Sequence, residues 1–150
     1  MINNEKGKNM ETFPVLYILM RNDMESMNSG KAMAQASHAS NAFMHRALKE
    51  GLEDQNSARP YDNLIEKWRN ETSQGFGTVL VLAVNHSDME FTVNAALNYG
   101  FMAEVIHDPT YPLRDGDTTH FIPVDTCAYV FADKNDPVTN LIMGNFPLHP

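Results

Sequence analysis

The sequence predicts an α/β protein, three-layer α/β/α, in which a four-stranded mixed sheet carries helices on both faces. Two observations carry that reading. Residues 13–20 and 78–84 form runs that are almost wholly apolar and rich in strand formers, as strands buried on both faces are. Between and after them lie segments of helical period bounded by polar caps and glycines. The order reads strand, helix, helix, strand, helix, strand, strand, helix.

Residues 1–12 are polar and read as a flexible segment ahead of a single domain over residues 13–150. The first strand ends at Arg21, Asn22 and Asp23. A helix is expected behind the cap Asn28-Ser29-Gly30, running to about Glu50 and stopped by Gly51. Wound at 3.6 residues per turn, it places Ala32, Ala36, Ala39, Phe43 and Ala47 on one face, small enough to lie close against a sheet. Lys31, Gln35, His38 and His45 share a row on the other face. That row is either a solvated stripe or one wall of a site, because a lysine behind a helix start adds a full charge to a place that already attracts anions.

After a polar loop over residues 51–60, a short helix is expected over residues 61–71, with Leu64, Ile65 and Trp68 on its apolar side. Core packing is the reading preferred for Trp68 over stacking on a base. Gly75-Phe76-Gly77 breaks the chain before the second strand. Ser87-Asp88-Met89-Glu90 reads as a capping box that starts a helix reaching Tyr99, with His86 read as part of the turn before it in preference to a ligand. A third strand covers residues 103–106. The proline-rich residues 107–120 read as a long irregular loop, and loops of that length are commonly functional. A last strand is expected at residues 127–131, and Asp136-Pro137 caps a final helix ended by Gly144.

Composition narrows the function classes. At 150 residues and 43% hydrophobic content the chain can bury one core. No apolar run approaches the ~20 residues that span a bilayer, and no signal-peptide core opens the sequence, so a cytoplasmic protein with no membrane partner is expected. Cys127 is the single cysteine and lies in an apolar strand, which suits a packed thiol rather than a nucleophile. Among the 6 histidines only His38 and His45 stand two helical turns apart, so no metal site is expected. The net charge of −8 argues against indiscriminate nucleic-acid binding. Residues 76–150 hold only 2 basic groups, so any RNA contact belongs near Arg21, Lys31, Arg46 and Lys49.

Read together, Arg21-Asn22-Asp23 and Met27-Asn28-Ser29-Gly30-Lys31-Ala32-Met33-Ala34-Gln35-Ala36-Ser37-His38-Ala39 resemble the signature of the archaeal and eukaryotic type, type 2, of peptidyl-tRNA hydrolase. That family carries V-V-R-x-D followed by M-G-K-G-K-x-A-A-Q-x-x-H-A. Asn28 and Ser29 depart from it, replacing a Gly and the first Lys, while Lys31 keeps the lysine tied to catalysis. The family's D-A-G-x-T-Q-I pattern is matched by Asp108 and, across an insertion of seven residues, by Thr119-His120-Phe121-Ile122-Pro123; Thr118 and Thr110 are substitutes for Thr119. The tail from Ile142 to Leu148 resembles the family's closing segment.

The resemblance implies hydrolysis of the ester between peptide and tRNA with no cofactor. It makes Lys31, Asp108 and Thr119 the catalytic candidates, with Ser29, Gly30, Gln35, His38 and Arg21 around the acceptor end of peptidyl-tRNA. It also implies a possible homodimer. Arg21 and Asp23 could equally form a local ion pair, and His38 a structural hydrogen bond. Two other classes stand beside this one. A family-like module without activity would bind RNA, a nucleotide or a protein partner. A Ser-His esterase is disfavoured because no G-x-S-x-G elbow is present.

Overall fold

The computed structural model describes residues 11–53, 59 and 61–150. Most of the segment expected to be flexible, and most of the loop expected over residues 51–60, lie outside these. Eight elements follow in the expected order: β1 (Pro14–Arg21), α1 (Ser29–Glu53), α2 (Asp62–Arg69), β2 (Val79–Val84), α3 (His86–Asn98), β3 (Met102–Asp115), β4 (Thr118–Asp133) and α4 (Pro137–Met143).

The strands form one mixed sheet in the order β2-β1-β4-β3. β1 and β2 run parallel, from Leu16 opposite Val79 to Arg21 opposite Val84. β1 and β4 run antiparallel, from Pro14 opposite Asp133 to Met20 opposite Cys127. Because side chains alternate along a strand, β1 feeds two cores at once. Val15, Tyr17 and Leu19 meet Met89, Val93 and Ala96 of α3 and Met143 of α4. Leu16, Ile18 and Met20 meet Ala32, Ala39 and Phe43 of α1 and Ile65 and Trp68 of α2. This is the three-layer arrangement expected, and it explains why β1 is apolar throughout.

Phe43 centres the second core. Its ring lies edge-on to Trp68 at 5.5 Å and to Tyr129 at 5.6 Å, with Phe131 tilted at 4.9 Å. Trp68 is buried and donates its Nε1–H to Thr78 O at 2.8 Å, so it is a core residue. Gly77 is required there by close approach, since a Cβ would stand 2.6 Å from Trp68 Cδ1 and 2.7 Å from Trp68 O.

Three local expectations are corrected. α1 passes through Gly51 to Glu53, an interior glycine costing only about 1 kcal/mol against alanine. The cap of α3 is Asn85, whose side chain accepts from Asp88 N at 2.7 Å, so His86 is the first helical residue and not part of the turn. Residues 107–120 are not an irregular loop. They form the outer part of a β3–β4 hairpin that stays paired out to Asp115 opposite Thr118. Gly116, at φ +59°, opens its two-residue turn, the place where a type II′ turn needs glycine. The prolines are tolerated because β3 is an edge strand and one of them, Pro109, lies in a register shift between Asp108 and Tyr111.

The residues after α4 pair with the free side of β2. Pro147 O accepts from Ala83 N at 2.8 Å, His149 N donates to Val81 O at 2.8 Å, and Leu148 bridges Leu82.

Candidate active site

β1 stops pairing with β4 at Met20, while the hairpin continues past that point. The overhang meets the first turns of α1, which start where Asn28 Oδ1 accepts from Lys31 N at 2.9 Å. Two breaks in the hairpin's register set what faces the helix. Ile106 opposes Cys127 and His107 opposes Asp125, which leaves Thr126 as the extra residue of a bulge. The second break, beyond Asp108, takes up Pro109 and Thr110. Bulges re-aim side chains that strict alternation would place elsewhere.

Gln35 is the centre of the result. Although it shares a row with Lys31 and His38, it is only 2% exposed. Its Nε2 donates to Asp108 Oδ2 at 2.7 Å, and its Oε1 accepts from the Thr126 hydroxyl at 2.6 Å. The other oxygen of Asp108, Oδ1, accepts from Thr110 N at 2.9 Å and from Thr110 Oγ1 at 3.3 Å. Burial pushes the Asp108 carboxyl up, but the hydrogen bonds from Gln35 and Thr110 and the charge of His38 outweigh it, and its pKa lies below the ordinary value. Asp108 is therefore a held carboxylate at neutral pH.

Lys31 approaches this group without pairing to it. Its Nζ donates to Pro112 O at 2.7 Å and stands 5.0 Å above the Tyr111 ring. Tyr111 is fully buried, its hydroxyl 3.1 Å from Ser26 Oγ. Neutral donors and His38, and not Lys31, thus hold the Asp108 carboxyl below its ordinary value.

The remaining candidates divide between the start of α1, the end of β1 and the outer hairpin. Ser29 and Gly30 are exposed in the first turn of α1, and His38 is exposed beyond Gln35. Arg21 bonds Asp23 at 2.8 and 3.2 Å and Asp125 O at 3.0 Å, so it braces the end of β1 and forms the local ion pair considered above. Thr119 is exposed opposite Arg114, six residues along β3 from Asp108, or roughly 20 Å at strand rise. The hydroxyls that do surround Asp108 belong to Thr110 and, through Gln35, Thr126. Thr126 and Tyr111 were not singled out by sequence. A signal for the hairpin was present in Gly116-Asp117, a two-residue turn pair, but Pro109 and Pro112 masked it.

Cys127 donates to Gln35 O at 3.5 Å from a buried position; burial pushes its thiol up to about 12, so it is not a nucleophile at neutral pH. Beside Ser29, an apolar groove of about 310 Å³ is lined by Ala32, Met33, Ala36, Val81, His149 and Pro150. A larger cleft of about 730 Å³ lies along Asp62, Glu66, Arg69 and Gly75, away from Asp108, and gathers no comparable set of buried polar groups.

The fold and site together define an α/β protein whose polar constellation lies beyond the carboxyl end of a central strand, where α/β sheets commonly place their ligands. The family model described as Peptidyl-tRNA hydrolase PTH2 matches residues 14–148, and the chain belongs to that family. No individual curated protein matches it.

Proposed function

We propose that this protein hydrolyses the ester joining a peptide, or an N-blocked aminoacyl group, to the terminal ribose of tRNA. The observation that carries the reading, within a family of peptidyl-tRNA hydrolases, is the buried Asp108 carboxylate held by Gln35 and Thr110 beside the Lys31 end of α1.

In the reaction a water oxygen attacks the ester carbonyl, the bond from that carbon to the ribose oxygen breaks, and the ribose oxygen leaves with a proton. Asp108 orients the water and receives its proton transiently. Its low pKa suits orientation more than strong basicity. Lys31 turns from Pro112 O to the developing oxyanion or to a nearby phosphate, helped by the positive end of α1. Thr110 and Thr126 keep Asp108 and Gln35 in place, and the groove beside Ser29 offers apolar surface to an acyl side chain. No step requires a cofactor.

A binding module without turnover is the second reading, favoured by Ser29 in place of the family's first lysine and by Lys31 engaging Pro112 O. Release of tRNA from N-acetyl-aminoacyl-tRNA separates the two. The native protein should cleave, and Lys31→Ala and Asp108→Asn should each lose about 10²-fold or more while remaining folded. Native protein that binds but never cleaves supports the module; cleavage untouched in both variants removes the mechanism.

A further inference from the structure

A second polar cluster stands where α3 begins beside β4. His86 and Glu90 are one helical turn apart and so share a face of α3, and Asp125 reaches them from β4. One ligand atom from each of the three lies within 4.8 Å of the others. We propose that these residues form a binding site for a divalent transition cation, Zn²⁺ by preference.

The donor set fits that ion. One imidazole nitrogen and two carboxylate oxygens leave a fourth position for water, as in three-ligand zinc sites. The spacing also fits. Two donors about 2.1 Å from a tetrahedral centre stand about 3.4 Å apart. His86 Nε2 and Glu90 Oε1 are 3.3 Å apart. At that distance the two form an ion pair when the imidazole is protonated, and the nitrogen itself is shielded from solvent with no hydrogen bond of good geometry. A cation between them would take the imidazole lone pair and the Glu90 carboxylate together, with the nitrogen already turned towards the carboxylate.

The third ligand is already oriented. Asp125 Oδ1 meets His107 Nδ1 at 2.8 Å, the kind of outer hydrogen bond that fixes metal-binding carboxylates. The charges around the site favour a cation despite the positive end of α3. Arg21 pairs with Asp23 and donates to Asp125 O at 3.0 Å, and Asp23 accepts from His86 N at 3.1 Å, while the side-chain carboxylates of Glu90 and Asp125 face His86 and His107. The proposal is independent of ester hydrolysis, since none of the three residues takes part in the hydrogen bonds described for Asp108 and Lys31. Its structural effect would be to tie α3 to the residue preceding Thr126.

The test is titration of the full chain with Zn²⁺ by calorimetry, and with Co²⁺ followed by its visible absorption. The native protein should take up one equivalent, with the intense Co²⁺ bands of a four-coordinate site, and melt at higher temperature in Zn²⁺. Glu90→Gln, at an exposed position that leaves the fold intact, and His86→Ala should each weaken binding at least tenfold and lose the thermal shift. His45→Ala should bind like the native chain. Absence of saturable uptake, or binding retained in both Glu90→Gln and His86→Ala, overturns the proposal.

Discussion

Gln35 has one amide and two buried clients. The carboxylate of Asp108 takes its N–H and the hydroxyl of Thr126 gives to its oxygen, so neither partner has another way to exploit that geometry when the side chain is cut back. Gln35→Ala should therefore cost about 1–3 kcal/mol in denaturant unfolding, and it should lower turnover more than its stability loss explains, because Asp108 is released from its orientation. The same hydrogen bonds set a pH dependence. Asp108 and Asp23 both have folded-state pKa values below the ordinary carboxylate value, Asp108 as described and Asp23 chiefly through the hydrogen bond from Arg21. Their contribution to stability is complete above the unfolded value of ~3.9 and is lost as pH falls through the lower folded values. The rate should likewise show no acid limb from Asp108 between neutrality and about pH 4; a limb near pH 6 that disappears in Asp108→Asn would contradict this.

The hairpin is the element on which the site depends. It delivers Asp108 and Thr110 at one register break, Thr126 at another, and the Tyr111 ring and Pro112 carbonyl that hold Lys31. Tyr111→Leu removes the ring under the ammonium as well as the hydroxyl near Ser26, while Tyr111→Phe removes only the hydroxyl. If the ring positions Lys31, the leucine variant should lose about tenfold in kcat and the phenylalanine variant about half its rate or less, measured at matched folding by thermal melting. Equal effects would assign the role to the hydroxyl instead. This is also where sequence reading met its boundary. α1 was legible because its cap, its small face and its polar row are local patterns, which singled out Lys31 and Gln35, whereas Asp108 came from the resemblance to the family's D-A-G-x-T-Q-I pattern. The hairpin was hidden because prolines usually exclude a strand, and only the sheet order shows that β3 is an edge. Thr126 was hidden because a bulge interrupts the alternation from which a strand's faces are read. Thr119 was chosen by matching the family's motif across an insertion of seven residues, and pairing in a hairpin carries that residue towards the tip.

At the scale of the molecule, the alternation in β1 already contains the layered architecture, since every apolar residue from Val15 to Met20 has a core to enter. The charge imbalance was legible too, with the basic residues concentrated in the first half of the chain, Lys31, Arg46 and Lys49 among them on the helix that starts at the site. Less visible from sequence was how the sheet ends. The segment containing Pro147 to His149 occupies hydrogen-bonding groups of Val81 and Ala83 that would otherwise line an open margin beside Val79 and Leu80. An open margin of that kind is a template on which another chain can add its own strand. The closing residues thus act as a guard against self-templating, and colloidal behaviour becomes a property encoded in the tail. A chain cut after Phe146 should form larger species as its concentration rises, visible by light scattering, while the intact chain at the same concentrations does not. Should the shortened chain stay equally monodisperse, the guard would be redundant and the strand margin protected by its own twist.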